Sequence, residues 1–145
     1  PPDPDQTKFR TARRIIGQQR AADAAHLLIG EDAAARYLLL HGYRICERNF
    51  VSGKNEIDII AEKKNTYVFC EVKSRVQRFG EDPPFGRPAA AVDAKKQRNL
   101  IAAATTFESR HKRENKFFRF DVIEVYLTPR YKVSHIYHME GAFTK

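Results

Sequence analysis

Cysteine is scarce in this sequence: Cys46 and Cys70 are the only two among 145 residues, and both lie in apolar, strand-like runs. That excludes a disulfide framework and predicts reduced, buried thiols, with the cytoplasm as the matching compartment. Histidine is limited to five residues. His26, His41 and His111 fall on predicted helix or turn positions, and His135 and His138 stand three apart on a strand, hence on opposite faces. No histidine ligand is assigned, and without a Cys/His cluster a zinc site is excluded. No apolar run approaches the roughly 20 residues that cross a bilayer, which predicts a soluble chain. Arg13-Arg14 leads into Ile15-Ile16-Gly17-Gln18-Gln19-Arg20, which breaks the hydrophobic stretch a twin-arginine export signal needs.

What is present fits one compact domain. Hydrophobic residues make up 42% of the chain, enough for a single core at this size. The net charge of +8 favours a polyanionic partner. Three prolines within Pro1–Thr11 predict an irregular lead-in, and residues 1–22 are assigned to a flexible basic segment preceding a domain over 23–145. Helix is expected from Ala12 to Leu40, with Gly17 and Gly30 as possible breaks and His41-Gly42 as the stop. A strand over Tyr43–Phe50 follows, then a turn over Val51–Asn55. The spacing of Val92, Leu100, Ile101, Ala104 and Phe107 predicts a second helix within Ala89–Arg110. Phe118–Leu127 and Lys132–Met139 read as strands joined around Pro129-Arg130.

The chemistry concentrates in two short runs, Glu56-Ile57-Asp58-Ile59-Ile60-Ala61 and Val68-Phe69-Cys70-Glu71-Val72-Lys73, which set carboxylates and a lysine in otherwise apolar strands. The polar link between them predicts a hairpin whose turn is centred on Lys64 and Asn65, with Asn65 suited to left-handed backbone angles. That register sets Asp58 opposite Glu71 and Glu56 opposite Lys73, and strand alternation sends all four to one side. Two negative charges about 5 Å apart repel by roughly 3 kcal/mol at an effective dielectric near 20. Either the face is wet and its charges are solvated or cross-paired, or a divalent cation or a phosphate compensates them. Asp121 and Glu124, on a later strand, read as rim or structural charges. Gly80–Pro88 is a loop beside the proposed site, where Arg78 and Arg87 join Arg75 as candidate phosphate contacts. Lys95, Lys96 and Arg98 on the following helix extend the set.

The order Glu56-x-Asp58 then Glu71-x-Lys73 resembles the PD-(D/E)XK nuclease motif. Together with Gly30-Glu31-Asp32-Ala33-Ala34, Gly42-Tyr43, Arg48-Asn49-Phe50 and Arg119-Phe120-Asp121-Val122-Ile123, it resembles the YraN family of small bacterial proteins, which is similar to archaeal Holliday junction resolvases. The resemblance implies a mixed α/β fold, a restriction-endonuclease-like central sheet flanked by helices. It implies Mg²⁺ or Mn²⁺ held by Asp58 and Glu71, with Lys73 assisting the attacking water. Glu31, eleven residues before Gly42, matches the first-helix glutamate of the resolvases and takes the role of a further metal ligand, with Glu56 as an outer partner. The family's Gly-Glu-Ile-Asp appears here as Asn55-Glu56-Ile57-Asp58, so the loop before the strand is expected to differ. The implied activity is hydrolysis of DNA phosphodiester bonds, selective for branched or junction DNA, by a possible homodimer. Two other readings stand beside it: a nucleic-acid-binding module that keeps the nuclease fold without turnover, and an accessory protein whose basic surface docks an acidic protein partner.

Overall fold

In the computed structural model, which describes residues 4–78 and 92–145, a mixed five-stranded sheet carries one helix on each face. Helix α1 spans Pro4–Leu40, followed by β1 (Arg44–Ser52), β2 (Asn55–Lys63), β3 (Thr66–Val76), α2 (Ala94–Arg110), β4 (Phe117–Leu127) and β5 (Val133–Phe143). The strands are ordered β1-β2-β3-β4-β5, antiparallel except for the parallel pair β3–β4. A parallel pair needs a crossover, and α2 lies within it. Among the described residues no helix is long and apolar enough to cross a membrane.

The expected mixed α/β architecture is therefore present, with one difference at the start. Helix begins at Pro4, inside the stretch where the prolines suggest irregular backbone. A proline in the first helical turn loses no hydrogen bond, because the first amides of a helix have no partner in any case. Neither Gly17 nor Gly30 interrupts α1. Its end matches the expected stop, with Gly42 at φ +84°.

Two apolar clusters sandwich the sheet. Leu100, Ala103, Ala104 and Phe107 of α2 pack on Ile57, Ile60, Tyr67, Phe69, Phe120 and Val122. On the other face Ala34, Ala35 and Leu38 of α1 pack on Ile59, Val68, Cys70, Ile123 and Val125. β3 and β4 are covered on both sides, which is why the runs Tyr67–Cys70 of β3 and Val122-Ile123 and Val125–Leu127 of β4 are apolar on both faces. Asp93 caps α2, its Oδ1 accepting from the Lys96 amide at 2.8 Å. The β2–β3 turn falls on Lys64-Asn65 as expected, but Lys64, not Asn65, takes the left-handed angle, with φ 55°.

Candidate functional site

The β2–β3 ladder keeps the register the turn dictates from Lys63↔Thr66 as far as Ile59↔Cys70 and then stops. One step further, the Val72 amide donates to Asp58 Oδ2 at 2.8 Å. A side chain thus takes the amide next to Glu71, and the strands fork there. Alternation fails at the same place: Ile57 and Ile59, two apart, join opposite cores. Asn49 on β1 has φ 54°, a left-handed residue of the kind that kinks a strand. Asp58 therefore sits in the fork and not on one flat face, and the expectation that Glu56, Asp58, Glu71 and Lys73 share a face by simple alternation is corrected to that extent. Glu56 is exposed and pairs with Val51 of β1, while Lys73 is the register partner of Glu124 on β4.

Glu71 is the most perturbed group at the fork. Its side chain is 13% exposed, Oε1 lies 3.5 Å from Lys96 Nζ, and Oε2 is buried without a hydrogen-bond donor. Burial, followed by the charge of Asp58, pushes its carboxyl up to about 7, with Lys96 acting in the opposite direction. Burial also raises Asp58, against the Val72 amide and Lys96. Glu31 reaches the same neighbourhood from α1: burial raises its carboxyl, then the charge of Asp58, while Arg48 lowers it. Gly30 makes that approach possible, since a Cβ there would stand 1.6 Å from Ser74 Oγ and 2.8 Å from Ser74 Cβ. The helix backbone lies directly on β3, one residue from Lys73, and carries Glu31 to the fork.

Two hard-oxygen carboxylates side by side, with a buried acceptor oxygen that lacks a donor, fit a divalent cation. Among the described residues no three His, Cys, Asp or Glu side chains close around one point. The pair Asp58 and Glu71 is the candidate centre, and Glu31 is its electrostatic neighbour.

The expected phosphate contacts divide. Arg75 and Arg78 are exposed at the end of β3 and just beyond it, and Lys95 and Arg98 are exposed on α2. Arg87 lies outside the described residues. Lys96, grouped with them on sequence grounds, turns inward to Glu71 and belongs to the site itself.

A second polar cluster was not anticipated. Asp121 is 0% exposed, so of the two readings, rim or structural charge, it is the structural one. Its carboxylate accepts from Arg119 Nε and Nη2 at 2.8 Å each, from His138 Nε2 at 2.6 Å and from the Gly141 amide at 3.0 Å. Burial alone would raise Asp121, but the hydrogen bonds from His138 and Arg119 hold it below the usual carboxylate range. Glu124 is likewise buried, hydrogen-bonded through Oε2 to the Tyr126 hydroxyl. The available signal was an acid inside the apolar run Phe120–Leu127, which demands a buried donor nearby.

Comparison with known proteins places this chain in a family. The model of the uncharacterised protein family UPF0102 matches residues 30–125, a range that contains Glu31, Asp58, Glu71, Lys73 and Lys96. The chain is 41% identical over 114 residues to a UPF0102 protein of Caldicellulosiruptor saccharolyticus, covering 79% of this chain and 92% of that one. It is 39% identical over 107 residues to a UPF0102 protein of Clostridioides difficile, covering 74% and 89%. A UPF0102 protein of Herminiimonas arsenicoxydans is 40% identical over 116 residues, covering 80% and 81%.

Proposed function

The chain belongs to the uncharacterised protein family UPF0102, and we propose that it is a metal-dependent endonuclease that hydrolyses DNA phosphodiester bonds, selective for branched or junction DNA. The observation that carries the reading is the partly buried Asp58–Glu71 pair at a strand fork, with one buried carboxylate oxygen lacking a donor. A fold keeps such a pair when a ligand repays its desolvation. The resemblance of Glu56-x-Asp58 and Glu71-x-Lys73 to the PD-(D/E)XK motif and to the resolvases points the same way.

In this reading Asp58 and Glu71 hold Mg²⁺ or Mn²⁺, and Glu31 supports them from α1 through a further metal or an ordered water. Bound there, the ion lowers the pKa of water and neutralises charge on the phosphate. Asp58 and Glu71 would suffice to hold Mg²⁺, a cation that one or two protein carboxylates commonly bind together with substrate phosphates. Lys73 orients or deprotonates the attacking water, and Lys96 fixes the Glu71 carboxylate. Glu56, exposed at the start of β2, acts as an outer partner. Arg75, Arg78, Lys95 and Arg98 supply phosphate contacts without base readout, which suits selection by DNA shape.

The test is incubation of the purified protein with branched, flapped and linear DNA and Mn²⁺, alongside Asp58→Ala and Lys73→Ala. Cleavage by the wild type that both variants lose supports the hydrolase. DNA binding without products from any of the three sinks it and leaves the non-catalytic module. Indifference to DNA at low salt favours an acidic protein partner instead.

A further inference from the structure

At the end of the sheet away from the fork, two adjoining cavities of about 330 and 370 Å³ meet between the C-terminal half of α2 and the start of β4. Glu108, Lys116 and Phe118 line both, and Phe117 and Phe143 line the first. Phe118, 36% exposed, projects to the α2 face with Phe120, whereas Phe117, 71% exposed, projects to the opposite face. The Phe118 ring stacks on Phe69 with 5.9 Å between centroids and an interplanar angle of 7°. It therefore caps an aromatic column that also includes Phe107 and Tyr67.

The wall has a polar defect. Glu108 Oε2 accepts from Lys145 at 2.5 Å, but Oε1 is buried and has no donor. Lys112 and Lys145 also line the two cavities, while Lys116 is held by Glu62 and Arg119 by Asp121. From there α2 presents an exposed row of Lys95, Arg98, Ala102, Thr105, Ser109 and, just past its end, Lys112, spaced as one helix face and free of acids. It leads back toward Lys96 at the fork. Thr66, the register partner of Phe117, is five strand positions from Glu71, or roughly 17 Å at the usual rise.

We propose that this cavity receives one unstacked base of a single-stranded nucleic-acid segment, its ring on Phe118 and an N–H edge toward Glu108, while the backbone follows the acid-free row of α2. A purely apolar ligand would leave the Glu108 acceptor unmet, whereas every base offers both a π face and an N–H donor. Lys95, Arg98 and Lys112 along that row match the phosphates between bases. The inference deepens the nuclease reading and rests on it only in taking the ligand to be a nucleic acid. Branched and flapped substrates carry such unpaired bases beside their junctions.

The test uses the full chain in EDTA, so that cleavage plays no part, with fluorescence anisotropy of a labelled single strand and of the same strand bearing abasic sites. The wild type should prefer the base-bearing strand about tenfold. Phe118→Leu should lose that preference with little change on the abasic strand, and Phe118→Tyr should keep it. Equal affinity of the wild type for both strands, or a preference that survives Phe118→Leu, overturns the proposal. Thermal melting of each variant checks the fold. A preference that depends on Phe118 in a protein that never cuts DNA with Mn²⁺ sinks the hydrolase and keeps the pocket; cutting without the preference does the reverse.

Discussion

Replacing Glu71 by glutamine should change how stability depends on pH more than any other single substitution at the fork. A carboxyl raised from its ordinary 4.5 to about 7 binds its proton more tightly in the folded state than in the unfolded one. The folded state therefore carries no penalty below about pH 4.5 and an increasing one as pH rises through 7. For Glu71 the penalty amounts to roughly 3 kcal/mol by pH 8, and the raised carboxyl of Asp58 adds in the same direction. Glutamine keeps the shape of the side chain, abolishes the charge and removes the repulsion on Asp58. Urea unfolding followed by circular dichroism, with metal chelated, should find Glu71→Gln close to the wild type at pH 5 and up to about 3 kcal/mol more stable at pH 8. Millimolar Mn²⁺ at pH 8 should stabilise the wild type and leave Glu71→Gln unmoved. Parallel pH profiles for the two proteins would show that the fork is hydrated and that the reasoning fails.

Three further outcomes follow from other parts of the fold. Gly30→Ala, which in an open helix would gain about 1 kcal/mol, should instead lose about 1–2 kcal/mol against Ser74. Combining it with Ser74→Gly should recover most of the loss, and no recovery in urea melts would refute the close approach. Asp121→Ala should cost about 3–5 kcal/mol, because Arg119 and His138 then face each other without their shared acceptor. With the Asp121 carboxyl depressed, its contribution is present above about pH 3.8 and lost as pH falls below it, so the variant's deficit should shrink in acid titrations. Lys95→Ala with Arg98→Ala should flatten the slope of log affinity for DNA against log salt by about two, measured by anisotropy, without moving the melting temperature.

Much of the fold could be read from residue patterns, for identifiable reasons. The β2–β3 hairpin, its turn position and its register follow from two apolar runs and a short polar link, and the structure keeps them as far as Ile59↔Cys70. The fork was not readable. It depends on Asn49 adopting a left-handed angle and on Asp58 competing with backbone for the Val72 amide, choices that only the neighbouring strand decides. Lys96 likewise reads as one of several basic residues on a helix, and only the crossover turns it toward Glu71. His138 was rightly separated from His135, since the two point to opposite faces. Its link to Asp121 stayed hidden because the β4–β5 register shifts between Phe120 and Val122, and no local pattern announces that irregularity.

Where α2 sits has a kinetic consequence. The hairpin carrying Asp58 and Glu71 is local in sequence, whereas α2 reaches it across a long stretch of chain and then covers the neighbouring face. If the hairpin forms first, both acids are still wet, and the cost of drying them falls on the later docking of the helix. Alkaline conditions would then speed unfolding and leave refolding nearly untouched, a split that stopped-flow chevrons at two pH values would expose.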